Sequence, residues 1–164
     1  MNQKFRIREI ASTEIHLLES FLYDAIFIPE GVERPDKTII KIPELNTYIK
    51  SFGKDTDHCL VAETNGILIG AVWSRIFPES EKGFGYLDSE TPELCMSVNE
   101  KFRKKGVGTS LFLAILEKLK TLKYQKVSLS VDKINYAFKL YQKFGFEVVR
   151  SNEESVTMVK KLKG

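Results

Sequence analysis

Arg103-Lys104-Lys105-Gly106-Val107-Gly108-Thr109 stands between a short apolar run, Leu94 to Val98, and the most regular amphipathic pattern in the chain. Two glycines one residue apart, where a strand gives way to a helix, let the backbone take φ > 0 and turn its N–H groups inward. Their missing side chains leave room for a bulky anion. The following helix adds unpaired first-turn N–H groups and the positive end of its dipole, and three cations, Arg103, Lys104 and Lys105, flank the turn. The stretch reads as a seat for phosphate. Alone, Arg-x-x-Gly-x-Gly is a weak motif, equally compatible with a glycine turn beside solvated charge.

Working outward, Leu111, Phe112, Ile115, Leu116, Leu119 and Leu122 keep one apolar stripe while Glu117, Lys118 and Lys120 turn away from it, which predicts the main helix. Val127, Leu129 and Val131 alternate with serines as a strand. Ala137, Leu140, Tyr141 and Phe144 repeat at helical spacing, with Gly145 as the residue past the helix end. Phe146 to Arg150 and Val156 to Leu162, around Ser-Asn-Glu-Glu, form a final hairpin. Upstream, His58 to Thr64 and Ile67 to Ile76 flank Asn65-Gly66, the pair that favours a type I′ hairpin turn. Phe5, Ile7 and Ile10 mark a first strand. Ser12 and Thr13 are expected to cap a helix running to Phe27, and Pro43 opens another that reaches Phe52. Ile28 to Lys37 and Phe77 to Pro92 are broken by proline and glycine and read mainly as loops. The order β-α-α-β-β-β-α-β-α-β-β calls for a mixed α/β sheet flanked by helices.

At 164 residues the chain suits one domain, residues 1–164, and 43% hydrophobic with 29% charged residues is an ordinary globular composition. No apolar run approaches the roughly 18 residues of a membrane span, and the first residues lack a signal-peptide pattern, so the expectation is a cytoplasmic protein without membrane association. A net charge of +3 is too mild to argue for nucleic acid. Cys59 and Cys95 lie in apolar strand-like runs and read as buried small hydrophobes rather than a disulfide or metal pair.

A second motif, Asn135-x-Ala137-x-x-Leu140-Tyr141-x-x-x-Gly145-Phe146, follows the glycine turn by one helix and one strand. In this order and spacing the two motifs resemble the GNAT (GCN5-related N-acetyltransferase) superfamily. The likeness covers the whole element order, is most specific from Leu94 to Phe146 and is weak before residue 55. Many members carry proline near Asn99 and glycine or asparagine near Lys104, where this chain does not. The resemblance implies an acyl-CoA N-acyltransferase fold of six to seven mostly antiparallel strands and about four helices, splayed between strands 4 and 5. It also implies that residues Arg103 to Thr109, with Gly106, Val107 and Gly108 at the centre, hold the pyrophosphate of acetyl-CoA through main-chain N–H groups, Lys104 and Lys105 meeting phosphate charge at the rim. Met96 to Val98 would pair with the pantetheine arm, an N–H near Val98 would steady the oxyanion, Asn135 would touch the pantetheine, and Tyr141 would protonate the departing thiolate. The implied reaction moves acetyl from acetyl-CoA directly to a primary amine, with no metal.

Each residue also has a plainer reading. Asn135 is a good helix cap, Tyr141 lies on an apolar stripe, and the lysines are ordinary surface charge. An attacking amine must first lose a proton, so a carboxylate or a water chain ending in one is expected. Glu93, just before the motif strand, is the first choice, followed by Asp88 and Glu90, with His58 a further candidate. The five acids between Glu79 and Glu93 would alternatively make an anionic wall for a cationic substrate, or simply a solvated loop. A non-catalytic acyl-CoA sensor or docking module shares most of these features. A P-loop does not fit, since no Gly-Lys-Ser/Thr follows the turn. Tyr23 to Lys54 and Phe77 to Pro92 are expected to line the acceptor side. Small amines, amino acids, polyamines and protein amino termini all stay open, as does the choice between monomer and homodimer.

Overall fold

In the computed structural model, which describes residues 4–162, Asn65 and Gly66 take φ of 51° and 78°. These left-handed values are what a type I′ turn requires, and the pair joins β2 (His58–Thr64) to β3 (Ile67–Arg75). β1 (Arg6–Glu9) adds to β2 and β4 (Glu93–Val98) to β3, all antiparallel. β5 (Lys126–Asp132) joins β4 in parallel through one matched pair, Glu93 with Ser128, and beyond it the strands part. β7 (Ser155–Lys161) lies between β5 and the edge strand β6 (Glu147–Ser151), giving the order β1-β2-β3-β4-β5-β7-β6. The expected mostly antiparallel sheet, splayed between its fourth and fifth strands, is present with seven strands. Four α-helices, α1 (Leu18–Ala25), α2 (Pro43–Asn46), α3 (Val107–Thr121) and α4 (Ala137–Lys143), accompany it among the described residues. No described helix is long and apolar enough to cross a membrane.

Alternation along the strands divides the core in two. Val127, Leu129 and Met158 turn toward α3, whose Leu111, Ile115 and Leu119 are buried among them. Val61, Ala71 and Trp73 turn the opposite way, onto Leu18, Phe21 and Leu22 of α1. Each of the Val, Leu, Ile, Met and Phe side chains among them contributes roughly 1.5–3 kcal/mol through burial. On β4 the same period sends Leu94, Met96 and Val98 to the α3 face and Glu93, Cys95 and Ser97 to the α1 face. One short strand thus serves both sides of the sheet.

Several local expectations are corrected. Ser12 and Thr13 do not cap the first helix. Ala11 takes that position, its N–H donates to Glu14 Oε1 at 2.8 Å, and Arg8 holds Glu14 in a paired ion bridge. Ser12–Leu17 winds as a 3₁₀ helix, and α1 stops at Ala25, short of Phe27. Pro43 opens α2 as expected, but that helix ends at Asn46 and turns carry the chain on to Ser51. Leu122 closes α3 and remains 46% exposed, since the stripe ends with the helix. Between Phe77 and Pro92 the regular element is a single 3₁₀ turn at Glu79–Glu81.

Candidate active site

Asn99 accepts from Lys101 N at 3.0 Å and so turns the chain out of β4. Arg103 then folds back, its Nε donating to Val98 O at 3.0 Å. Lys104 and Gly106 take φ of 62° and 85°, and α3 begins at Val107. The glycine turn therefore has two left-handed positions, but the second is supplied by Lys104, while Gly108 is already helical. What Gly108 provides is proximity: a Cβ there would stand 3.5 Å from Val98 Cγ2 and 3.8 Å from Met96 Cε, filling the space between turn and strand. The first bond inside α3 runs from Ser110 N to Gly106 O at 3.0 Å, so the N–H groups of Val107, Gly108 and Thr109 have no acceptor in the helix. No described group accepts from Lys104, Lys105 or Gly106 N–H either. These unpaired donors, beside two exposed lysines, are what a backbone anion seat would require.

The edge of β4 continues from that seat. Asn99 N donates to Ile69 O at 2.8 Å, and the β3 register then assigns the main-chain groups of Ser97 and Cys95 to β3. Those of Met96 and Val98 point into the gap beside β5. Arg103 takes the Val98 carbonyl, which leaves the Val98 N–H and both Met96 groups as an open edge. An extended ligand arm with amide groups would pair there as an added strand does.

Tyr141 lies on α4 and packs against the core on the α3 side of the sheet, the side of Met96 and Val98. Its ring packs 5.1 Å from that of Phe112 and 6.0 Å from that of Phe146. Its carbonyl accepts from Phe146 N at 3.0 Å while Gly145 N bonds Gln142 O at 3.0 Å, with Gly145 at φ 92°. This double closure, which needs the glycine, fixes the end of α4 and with it the tyrosine. Burial and the neighbouring Cys95 push the phenol above its ordinary pKa, so it stands protonated beside β4. Burial likewise holds the Cys95 thiol neutral. Asn135 Oδ1 accepts from Ala137 N at 2.9 Å. That bond, made just ahead of the Tyr136 N-cap of α4, occupies its oxygen and leaves its NH₂ without a partner among the described residues.

Glu93 lies on the opposite face, 2% exposed. Its Oε2 accepts from the Tyr48 hydroxyl and from Gly85 N at 3.1 Å, while Oε1 is buried without a partner. Burial pushes its pKa up to about 7, partly offset by the bonds from Tyr48 and Gly85. A Cβ on Gly83 would run into Oε1 and stand 2.7 Å from the Tyr48 hydroxyl, so only glycine passes over this carboxylate. Tyr48 also accepts from Phe84 N at 2.8 Å. Its main chain is anchored by Trp73 Nε1, which donates to Tyr48 O at 3.0 Å. Arg75, paired with buried Asp57 at 3.0 Å, donates to Thr47 O and Lys50 O and holds the same segment. Sequence reasoning placed Tyr48 among the aromatics of the acceptor-side segment Tyr23 to Lys54 but missed its bond to Glu93, and missed Gly83 and Gly85. Tyr48 looked like the apolar face of a helix, and the one legible hint was the Gly-Phe-Gly spacing of residues 83–85.

The other candidate bases sit elsewhere. Asp88 accepts from Glu90 N and Thr91 Oγ1 and faces Lys126 at 3.5 Å, Glu90 is exposed, and His58 faces Tyr124 Oη at 3.3 Å. Among the described residues no three His, Cys, Asp or Glu side chains gather closely enough to hold a metal ion.

A sheet parting between β4 and β5, with a backbone anion seat at the parting, is the architecture of acyl-CoA N-acyltransferases. The acetyltransferase (GNAT) family model matches residues 20–146, and the chain belongs to that family. An N-alpha-acetyltransferase from Sulfolobus acidocaldarius is 39% identical over 112 residues, 63% of this chain and 62% of that protein's length. The PaiA N-acetyltransferase from Thermoplasma acidophilum, solved in complex with coenzyme A, superposes with a TM-score of 0.70 at 20% identity, over 97% of this chain and 99% of the other. YncA from Salmonella typhimurium, solved with its cofactor acetyl-CoA, gives 0.71 at 15% identity over 99% and 96%. These two similarities establish the fold.

Proposed function

We propose that the protein transfers the acetyl group of acetyl-CoA directly to a primary amine in a ternary complex. The observation that carries this reading is the pair of unpaired main-chain stretches at the glycine turn and the Met96–Val98 edge, with Tyr141 packed on the same side of the sheet. The N–H groups of residues 104–109 bind the pyrophosphate, and the β4 edge aligns the pantetheine. The Val98 N–H or its neighbour faces the thioester oxygen as charge develops there. In the transfer a bond forms between amine nitrogen and acetyl carbon and the carbon–sulfur bond breaks. Glu93 receives the amine's proton by way of water, and Tyr141 gives its proton to the sulfur. A carboxyl titrating at about 7 is matched to that task at neutral pH, and a neutral Cys95 is unsuited to an acyl-enzyme. The Sulfolobus relative's name supports an amino-terminal α-amine as acceptor.

Thiol release tests the proposal. Acetyl-CoA with a mixed panel of peptides and small amines should liberate CoA above the amine-free blank. A melting point raised by CoA, with no thiol released for any amine, would refute transfer while leaving cofactor binding intact.

A further inference from the structure

The serines of β5 have no part in this chemistry, yet they define a surface. Val127, Leu129 and Val131 pack toward α3, so Ser128 and Ser130 face the opposite side, together with their β7 neighbour Thr157. α1 packs chiefly on β4 and β3. Over β5 and β7 the cover is the loop that also seals Glu93. Thr157 Oγ1 donates to Phe84 O at 3.4 Å, the Arg150 guanidinium donates to Tyr86 O, and a Cβ on Gly85 would stand 2.7 Å from Ser130 N.

β6 bends to meet this loop. Val148 opposes Met158 and Arg150 opposes Thr157, with Val149 as an extra residue between them. Without that bulge Arg150 would oppose Val156 and turn to the α3 side. With it the guanidinium reaches the hydroxyl-lined face, the re-aiming for which bulges near functional sites are known. A pocket of about 210 Å³ results, lined by Lys82, Gly83, Phe84, Arg150, Asn152 and Thr157 among others. Neither Arg150 nor Lys82 has an ion-pair partner among the described residues. Two of the loop acids are engaged elsewhere, Glu81 with Lys50 at 3.9 Å and Asp88 with Lys126 at 3.5 Å, and no described acid lines the pocket. Asn152 Oδ1 is taken by the N–H groups of Glu154 and Ser155, which leaves its NH₂. The charged groups of the lining are thus two cations, with the Asn152 amide as a further donor, and the anionic wall considered from the sequence is absent from this pocket.

We propose that this pocket binds a carboxylate of the acceptor, so that preferred acceptors are amines carrying an acidic group close to the amine. The inference rests on the acetyl-transfer reading, because the pocket shares Gly83 and Phe84 with the cover over Glu93. The carboxylate has two possible sources, an acidic side chain near a peptide's amino terminus or the α-carboxylate of a free amino acid. An aligned guanidinium–carboxylate bond should raise kcat/KM about tenfold.

Amidated peptides Ser-Glu-Ala-Gly, Ser-Gln-Ala-Gly and Ser-Lys-Ala-Gly, and free glutamine with its amide-capped form, are compared in the thiol-release assay. The wild type should prefer the Glu over the Gln peptide, or free over capped glutamine, by about tenfold. The first result assigns the side-chain source and the second the α-carboxylate. In the Arg150→Gln/Lys82→Gln variant the ratio should fall below about twofold, and Arg150→Glu should favour the Lys peptide. Equal rates in the wild type, or a preference that survives the double substitution, would overturn the proposal. If no amine turns over, titration calorimetry of the same compounds on CoA-loaded protein decides separately. Tighter binding of the carboxylate-bearing member, lost in the double variant, sustains the pocket and condemns only the transfer reading, whereas equal affinities condemn the pocket.

Discussion

Between α3 and β4 the groups offered to a ligand are main-chain N–H groups from residues adjacent in sequence. Across the same strand the polar groups are side chains from distant segments, Glu93 meeting Tyr48 from 45 residues away and Arg75 meeting Asp57 from 18. The contrast teaches where tolerance lies. A seat made of peptide groups depends on backbone conformation and on absent side chains, so most substitutions there act through geometry. A site made of buried side chains depends on each partner's chemistry, and losing one leaves another unsatisfied in a dry interior.

Substitutions on each face break or sharpen that comparison. The largest effect is expected for Glu93→Gln, which should lower kcat/KM by roughly 10³ while CoA still raises the melting point. Below pH 7 the wild-type rate should fall with acidity and the residual rate of the variant should not. The sign for stability runs the other way. Burial lifts the Glu93 pKa to about 7, so between the ordinary carboxyl range and pH 7 the folded protein holds a proton that the unfolded chain has released. Wild-type stability should therefore decline as pH rises through that window, and Glu93→Gln should flatten the curve in thermal melts. An unchanged acid limb in the variant would exclude Glu93 as the base.

Asp57→Ala comes next. It strands buried Arg75 and should cost about 3 kcal/mol or more of unfolding free energy, read by denaturant titration. A loss below 1 kcal/mol would show that the acceptor face does not depend on this pair. Tyr141→Phe should lower kcat by about a hundredfold with CoA affinity and melting point nearly kept, since the role proposed for the hydroxyl is proton donation rather than a structural bond. Equal rates for the two proteins would remove its role. Gly108→Ala is the smallest and most discriminating change. The added methyl meets only ordinary contacts within the chain, so the fold should hold within about 0.5 kcal/mol. CoA affinity should nevertheless drop by about tenfold, measured by calorimetry. An unchanged affinity would mean that the ligand does not approach the space this glycine keeps open.

The cofactor face was the more legible of the two. Arg103 to Thr109 shows its left-handed turn and helix start locally, although the reading credited both glycines with φ > 0 where the protein uses Lys104 and Gly106. Tyr141 was reachable because its spacing from Asn135 and Gly145 is set by one short helix and its closure. On the opposite face Glu93 was reachable only as the acid just before the expected Leu94–Val98 strand, which it in fact opens. Its partners were not, because Tyr48 reads as one more apolar-face aromatic until the turn after α2 is packed against Trp73 of β3. Arg150 was equally hidden: its direction depends on an extra residue at Val149, which exists only relative to the register of β7.

Taken alone, the order of residues determined the periods of two and 3.6, the Asn65-Gly66 reversal, the glycine turn and hence the family of fold. These follow from steric limits acting within a few bonds of each residue. Only tertiary structure decided that Glu93 is buried and lacks a partner at Oε1, that Tyr48 and Gly83 close over it, and that Arg150 and Lys82 face one pocket. Burial and proximity between remote segments exist only once the sheet has closed its contacts, and they are what set a carboxyl's affinity for its proton and the charge of a binding surface.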